Sequence, residues 1–361
     1  MLVQPTHGTT RWLLDQRGLD AAVALHERFL RSAGGARAVL KFAVAPGADC
    51  RRRLLNDADL TGADFEGAQL AGSHFERASF YCTNLRGCDL RAANLKRTDL
   101  RGACLSGASL NGAVMDEADM RGARIVHADR DGTLHISLAA RGQGAGHLGA
   151  DFTNCAMRGV RLCGANLKGA NFSGAVLEGA DFSGAKLTGA VFCDTVLTSA
   201  TSDKLGLSPD QQSGCVFEPA AAEIARAPVL LARLLSAAEW VESGGKRGAR
   251  AVVDHEDLRP LGGAFRGRLL TALSARSARA IHLDFSGGQL QAAVFDDADL
   301  RGAVFDGADL RGASFRGAKL SHARFAHADL APLVLPSGHR RPTSFEGASM
   351  DRADFSNTVL A

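Results

Sequence analysis

The chain has 361 residues, 46% of them hydrophobic, with 41 Gly and a net charge of +3. That apolar content excludes a disordered chain, and near-neutrality excludes a strong single-sign field of the kind that steers nucleic acid. The longest apolar run, 228–238, is broken by Arg233 and is too short to span a bilayer.

In chain order, residues 11–32 predict a helix, with Trp12, Leu13, Leu19, Val23, Leu25, Phe29 and Leu30 forming a loose apolar stripe and Gly34-Gly35 stopping it. A five-residue period then takes over. Counting back in fives from Leu60 reaches Leu40, and counting forward passes Phe65, Phe80 and Leu100 to Ile125. Two residues before the centres stands a small residue, usually Ala, with Arg53 before Leu55 as an exception. Gly recurs two residues after, as at Gly62, Gly67 and Gly102. A period of five is neither the strand period of 2 nor the helix period of 3.6, so the chain must turn once per unit. Residues 126–149 leave this register. Two short apolar runs around Asp131-Gly132 predict a projecting hairpin. The period resumes from Ala150 to Leu197, where Phe172, Leu177, Phe182, Leu187, Phe192 and Leu197 alternate strictly.

Ser208, Pro209 and Gln211 then form a helix-start signature. Helical segments are predicted at 219–226, 228–242 and 261–279, with a linker around Gly244-Gly245 and 246–250. The third array begins near Leu283. Its clearest part alternates Leu300, Phe305, Leu310 and Phe315 over the inward Ala303, Ala308 and Ala313. Residues 331–342 interrupt the pattern without shifting it, and centres return at Phe345, Met350, Phe355 and Leu360.

These units, with A-D-L-R-G-A-V-F-D-G as the cleanest stretch, resemble the pentapeptide-repeat family, whose repeat centres on A-(D/N)-(L/F)-x-x. The resemblance implies an all-β solenoid: a right-handed, quadrilateral parallel β-helix, one pentapeptide per side. The chain then divides into an N-terminal capping helix (1–37), a first β-helix (38–200, interrupted at 126–149), a helical cap or linker (201–280) and a second β-helix (281–361). The segment G-A-R-A-V-L after the first helix is similar to the start of many such arrays, and G-L-S-P-D-Q resembles the segment that ends them. With four sides per coil, strict alternation puts Phe on two opposite sides and Leu on the other two. No capping helix is predicted after the last centres, and homodimerisation is one way to cover that coil.

The carboxylates before the centres recur because the repeat recurs, so none is singled out for catalysis. His127, His135 and His147 cluster in the first insertion, where loop histidines outweigh a metal site. No Cys pair has zinc or redox spacing, and no nucleotide-binding or nucleophile motif is present. The expectation is a reduced, cytoplasmic, non-enzymatic scaffold without cofactor or metal, binding a protein partner and no nucleic acid or membrane. Leu231, Leu235 and Trp240, in the segment between the arrays, are the candidate interaction residues. The alternative is a relative of the quinolone-resistance branch, whose members modulate DNA gyrase by imitating duplex DNA with an acidic shaft. The arrays here carry −1, 0 and −2 over 58–125, 150–200 and 281–361.

Overall fold

The structure is a computed structural model that describes residues 11–121, 149–200, 207–208, 211 and 213–360, with the backbone of Ile125–Ala128 and Leu134–Ser137. It divides into two compact units, Met1–Glu218 and Pro219–Ala361. In both, isolated parallel bridges join residues twenty apart: Val39 with Asp59, Asp59 with Ser79, and Ser79 with Asp99. Twenty residues are four pentapeptides, so each coil has four sides. The centre and the residue before it carry the ladder. Leu60 N–H donates to Ser79 O at 2.8 Å, and Ser79 N–H donates to Ala58 O at 2.9 Å. Each side closes with a turn, as where Ala63 N–H donates to Leu60 O at 3.0 Å. The second turn residue has positive φ. Gly62 takes it at 66° and Arg97 at 55°, so glycine eases the corner without being required there.

In the first unit, helix α1 (Gln16–Leu30) starts at Asp15, whose side chain accepts Gly18 N–H at 2.8 Å. Its Leu19 and Val23 are buried in the same apolar cluster as Leu40 and Leu55 of the first coil, and its His26 is buried as well. Polar bonds fix its position. Gln16 exchanges two hydrogen bonds with the backbone of Asp49. The ring of His26 accepts Ala38 N–H on Nδ1 at 3.0 Å and donates from Nε2 to Asn56 O at 2.8 Å. Strand β1 (Trp12–Leu13) pairs in parallel with β2 (Ala43–Val44).

The ladder crosses the first insertion without a break, joining Ser109 to Asp151, Val114 to Ala156 and Asp119 to Arg161. The insertion contains β3 (Ile125–Ala128) and β4 (Leu134–Ser137), paired antiparallel with His127 opposite His135. Its Asp-Gly turn and His147 lie outside the described residues. Further on, Ser208 N–H donates to Gln211 Oε1, and Gln211 N–H returns to Ser208 Oγ. Gln211 Nε2 also donates to Ala190 O at 2.7 Å, tying this segment to the shaft.

The second unit departs from the sequence expectation. One continuous helix, α2 (Ala221–Glu242), replaces the two predicted segments and runs through Pro228. Pro228 removes one backbone donor at a substantial cost, but flanking contacts hold the helix on both sides of it. Leu230, Leu234 and Ala237 share one buried cluster with Ala251, Val253 and Leu258. Arg226 pairs with Glu256, Arg233 lies 3.8 Å from Glu256, and Glu223 lies 3.6 Å from Arg279.

No α-helix forms at 261–279. A 3-10 helix at Arg259–Phe265 leads straight into coil sides, and the ladder already joins Val252 to Ser274 and Leu269 to Gln289. The shaft of this unit therefore begins near Val253, well before 281. Leu, Ala and Arg favour helix locally. Stacking wins, because Phe265 and Phe285 meet at 4.8 Å and Leu270, Ala275 and Ala280 fill the interior. The 331–342 interruption holds an antiparallel hairpin, β5 (Leu333–Val334) with β6 (Arg340–Arg341). The ladder continues past it from Ser314 to Ser344.

The alternating centres sort by side. Phe285, Phe305, Phe325 and Phe355 stack down one side at 4.8–5.0 Å, within 8° of parallel. Phe295, Phe315 and Phe345 stack down another, and the two columns meet edge-to-face at 5.5–5.7 Å. The ring spacing matches the strand-to-strand spacing of a sheet, so one residue per coil satisfies ladder and stack together.

Candidate interaction surfaces

The interior offers no reactive surface. Leu60, Phe65, Phe80, Leu100, Phe172, Phe182, Leu300, Phe305, Leu310 and Phe315 are buried, as are Ala303, Ala308 and Ala313. Thr83 and Cys88, which replace the inward Ala, donate to the backbone of the preceding coil. Thr83 Oγ1 reaches Leu60 O at 2.7 Å, and Cys88 Sγ reaches Phe65 O at 3.0 Å. Burial pushes the Cys88 thiol up to about 12 and raises that of Cys155 as well, so these sulfurs are unreactive small hydrophobes.

On the outside, the recurring Asp-x-Arg triplet builds its own ion pair. At Asp99, Asp119 and Asp309 the Oδ1 atom accepts both the backbone N–H and Nε of the Arg two residues on, while Oδ2 accepts Nη2 at 2.7 Å. The fork is bidentate, and the turn brings the two side chains to the same edge. Burial pushes Asp119 and Asp309 up, but the bonds from Arg121 and Arg311 outweigh it and hold both carboxyls below the usual range. Carboxylates held this way are bonding partners and are poorly placed to exchange protons.

The α2 residues divide differently. Leu235 is half-exposed, while Leu231 and Trp240 are partly buried. Ile224 and Val229 are each more than half exposed. At 100° per residue Ile224, Leu231 and Leu235 fall on one stripe, beside the buried face of Leu230, Leu234 and Ala237. Ile224 was legible from its spacing to Leu231 and Leu235, but the predicted division between 219–226 and 228–242 separated them. A second exposed apolar pair, Val334 and Leu335, lies on the 331–342 hairpin.

A third surface escapes sequence reading altogether. Asp119 Oδ2 meets Arg121 Nη2 at 2.7 Å, Arg161 Nη2 at 2.9 Å and Arg101 Nε at 3.8 Å. These groups line a cleft of about 260 Å³ with Arg97, Asp99 and Glu117. Arg161 lies 42 residues from Asp119 and meets it only because the ladder closes over the insertion. Among the described residues, no group of three or more His, Cys, Asp and Glu converges as a metal site would. Among them, no helix is long and apolar enough to cross a membrane.

The model of pentapeptide repeats matches eight copies in this chain, over 36–68, 58–97, 93–129, 149–184, 175–201 and 293–330. These segments cover just over half of the sequence, and the chain belongs to the pentapeptide-repeat family. No curated protein matches it by sequence. Among solved structures it is similar to QnrB1, a plasmid-mediated fluoroquinolone resistance protein, at 19% identity and a TM-score of 0.24, over 54% of this chain and 91% of that one. It is also similar to HetL, involved in heterocyst differentiation regulation in the cyanobacterium Nostoc sp., at 21% identity and a TM-score of 0.16, over 90% and 87% of the two chains. A pentapeptide repeat protein of the Arabidopsis thaliana thylakoid lumen matches at 26% identity and a TM-score of 0.15, over 33% of this chain and 68% of that one.

Proposed function

We propose that this protein is a non-enzymatic scaffold that binds a protein partner through the surfaces its β-helices carry. On this reading the shafts are right-handed and four-sided and form two lobes, with α1 capping the first and α2 set between them as a helical insertion. The observation that carries the proposal is the apolar stripe on α2. Ile224 is 55% exposed and Leu235 50%, beside a face that is wholly buried. A helix needs one apolar face to seat itself, and a second beside it costs solubility unless it has a use. The charged side chains support the same reading, since the carboxylates of the Asp-x-Arg triplets at Asp99, Asp119 and Asp309 are engaged by their own arginines.

The test is affinity capture with the intact chain and with an Ile224→Ser/Leu235→Ser variant, alongside light scattering for a second copy of the chain as partner. Loss of a captured protein or of a dimer, with an unchanged melting curve, is expected. A captured set that the substitutions leave unchanged overturns the role of α2. Imitation of DNA would call for a negative shaft, whereas the column of Asp257, Arg279, Asp299 and Lys319 alternates in sign and the three arrays sum to −1, 0 and −2. A gyrase supercoiling assay with the purified chain in micromolar excess is expected to show no inhibition and no protection from a quinolone.

A further inference from the structure

The Asp119 cleft has a counterpart in the second unit. There Asp257 forks with Arg259 and lies 3.7 Å from Arg279, as Asp119 forks with Arg121 and meets Arg161. The ladder pairs Asp257 with Arg279 as it pairs Asp119 with Arg161, and an aspartate follows one coil on in each, Asp299 and Asp181. Two repeats of the same register thus build the same carboxylate–guanidinium group.

What lies over them differs. In the second unit Nη1 of Arg279 also meets a carboxylate from outside the shaft, Glu223 in the first turn of α2, at 3.6 Å. In the first unit no described helix supplies such a group. The side chain of Arg161 is 52% exposed, as open as the 50% of Arg279, and the cleft sets four guanidinium groups (Arg97, Arg101, Arg121, Arg161) against three carboxylates (Asp99, Glu117, Asp119). Each guanidinium has five N–H donors in a planar fork, more than one carboxylate edge consumes.

We propose that the Asp119 cleft docks a carboxylate-bearing segment of a protein partner, with Arg161 receiving it as Arg279 receives Glu223. The ligand class is an acidic peptide, and the inference rests on the scaffold reading above. Glutamate side chains bring the charge the cleft lacks, and a peptide reaches a half-exposed shelf that no deep pocket encloses.

The test uses the full chain and a fluorescein-labelled hexaglutamate peptide, read by fluorescence anisotropy at low salt. Saturable binding is expected, weakened at least tenfold by Arg161→Gln and unchanged by Arg91→Gln, which removes an exposed shaft pair with Asp89 outside the cleft lining. Both variants are expected to keep the wild-type melting curve, because both side chains are more than half exposed. Displacement by millimolar inorganic sulfate would assign the site to oxyanions in general and overturn the peptide assignment. Binding that Arg161→Gln leaves intact, or that both variants weaken equally, overturns the cleft as the site. A partner captured equally well by wild type and Arg161→Gln would sink the cleft while leaving the scaffold reading standing, so the two failures are distinguishable.

Discussion

The two shafts share one backbone and fill it differently. From Phe285 to Leu330 the second unit repeats Phe and Leu in strict alternation, and the rings form two continuous columns. Over Leu40 to Met120 the first unit mixes Leu, Phe, Met and Cys, and one ring pair, Phe75 with Phe80 at 4.9 Å, forms there. Only after its insertion does the first unit build a ring column, Phe152, Phe172 and Phe192. The comparison teaches that the fold needs an interior filled by apolar side chains of varying size, with Ala275 and Ala280 at centres and Leu273 at an inward position, whereas regular stacking is an added layer of stability. Volume is required, and identity is adjustable as long as the narrow interior stays filled.

The largest expected effect tests that layer directly. Phe305 stacks on Phe285 and Phe325 and meets Phe295 and Phe315 edge-on. Phe305→Ala is expected to destabilise the second unit by about 3–5 kcal/mol. Phe305→Leu isolates the ring contacts and is expected to cost roughly 1–2 kcal/mol more than Phe80→Leu in the first unit. Chemical denaturation measures both, and equal costs for the two Leu variants would remove stacking from the account.

The inward alanines come next. Ala308 is buried in the narrow row beside the centres, and Ala308→Leu is expected to cost about 1–3 kcal/mol by overpacking. Tolerance of Leu there, read as an unchanged denaturation midpoint, would show that the row has room.

The caps differ in their response to acid. The α1 cap is held by His26, whose pKa lies below the ordinary histidine range because burial disfavours its charged form and Arg37 adds to this, against the carbonyl of Asn56. Glu27 and Asp57 face the same ring and pull the other way. Because the folded value is depressed, the neutral ring contributes its full stability above the unfolded histidine value of about 6.5. That contribution falls as pH drops below it and levels off below the folded value. Protonation also takes the Nδ1 lone pair that accepts Ala38 N–H. The α2 cap carries no histidine. The melting midpoint of the first unit is therefore expected to drop between pH 7.5 and pH 5.5, and His26→Gln is expected to flatten that drop. An equal slope in the variant would put the pH dependence elsewhere.

The smallest effect is expected at the first insertion. The ladder on either side of it is continuous, from Ser109 to Asp151 and from Val114 to Ala156. Replacing 128–147 by a short Gly/Ser bridge should leave the far-ultraviolet spectrum and the melting midpoint nearly unchanged. Aggregation of the shortened chain would make the insertion part of the core.

Much of this was determined by the sequence itself, because a repeat carries its own packing rule. The five-residue spacing of Leu60, Phe65 and Phe80 and the inward alanines are local signals that need no distant partner. The alternation of Phe305 and Leu310 foretold columns, since four sides per coil return each residue type to the same side. Tertiary structure decided the rest. Residues 261–279 read as helix because propensity is local, and they became coil sides because Phe265 gains more from Phe285 than its neighbours gain from a helix turn. The sequence reading parted 219–226 from 228–242, but contacts before and after Pro228 carry α2 through. Arg161 has no sequence relation to Asp119. Only a ladder that steps over an insertion sets a guanidinium beside that carboxylate, and pairing across coils depends on which residues are twenty apart in the coil, whatever their separation in the chain.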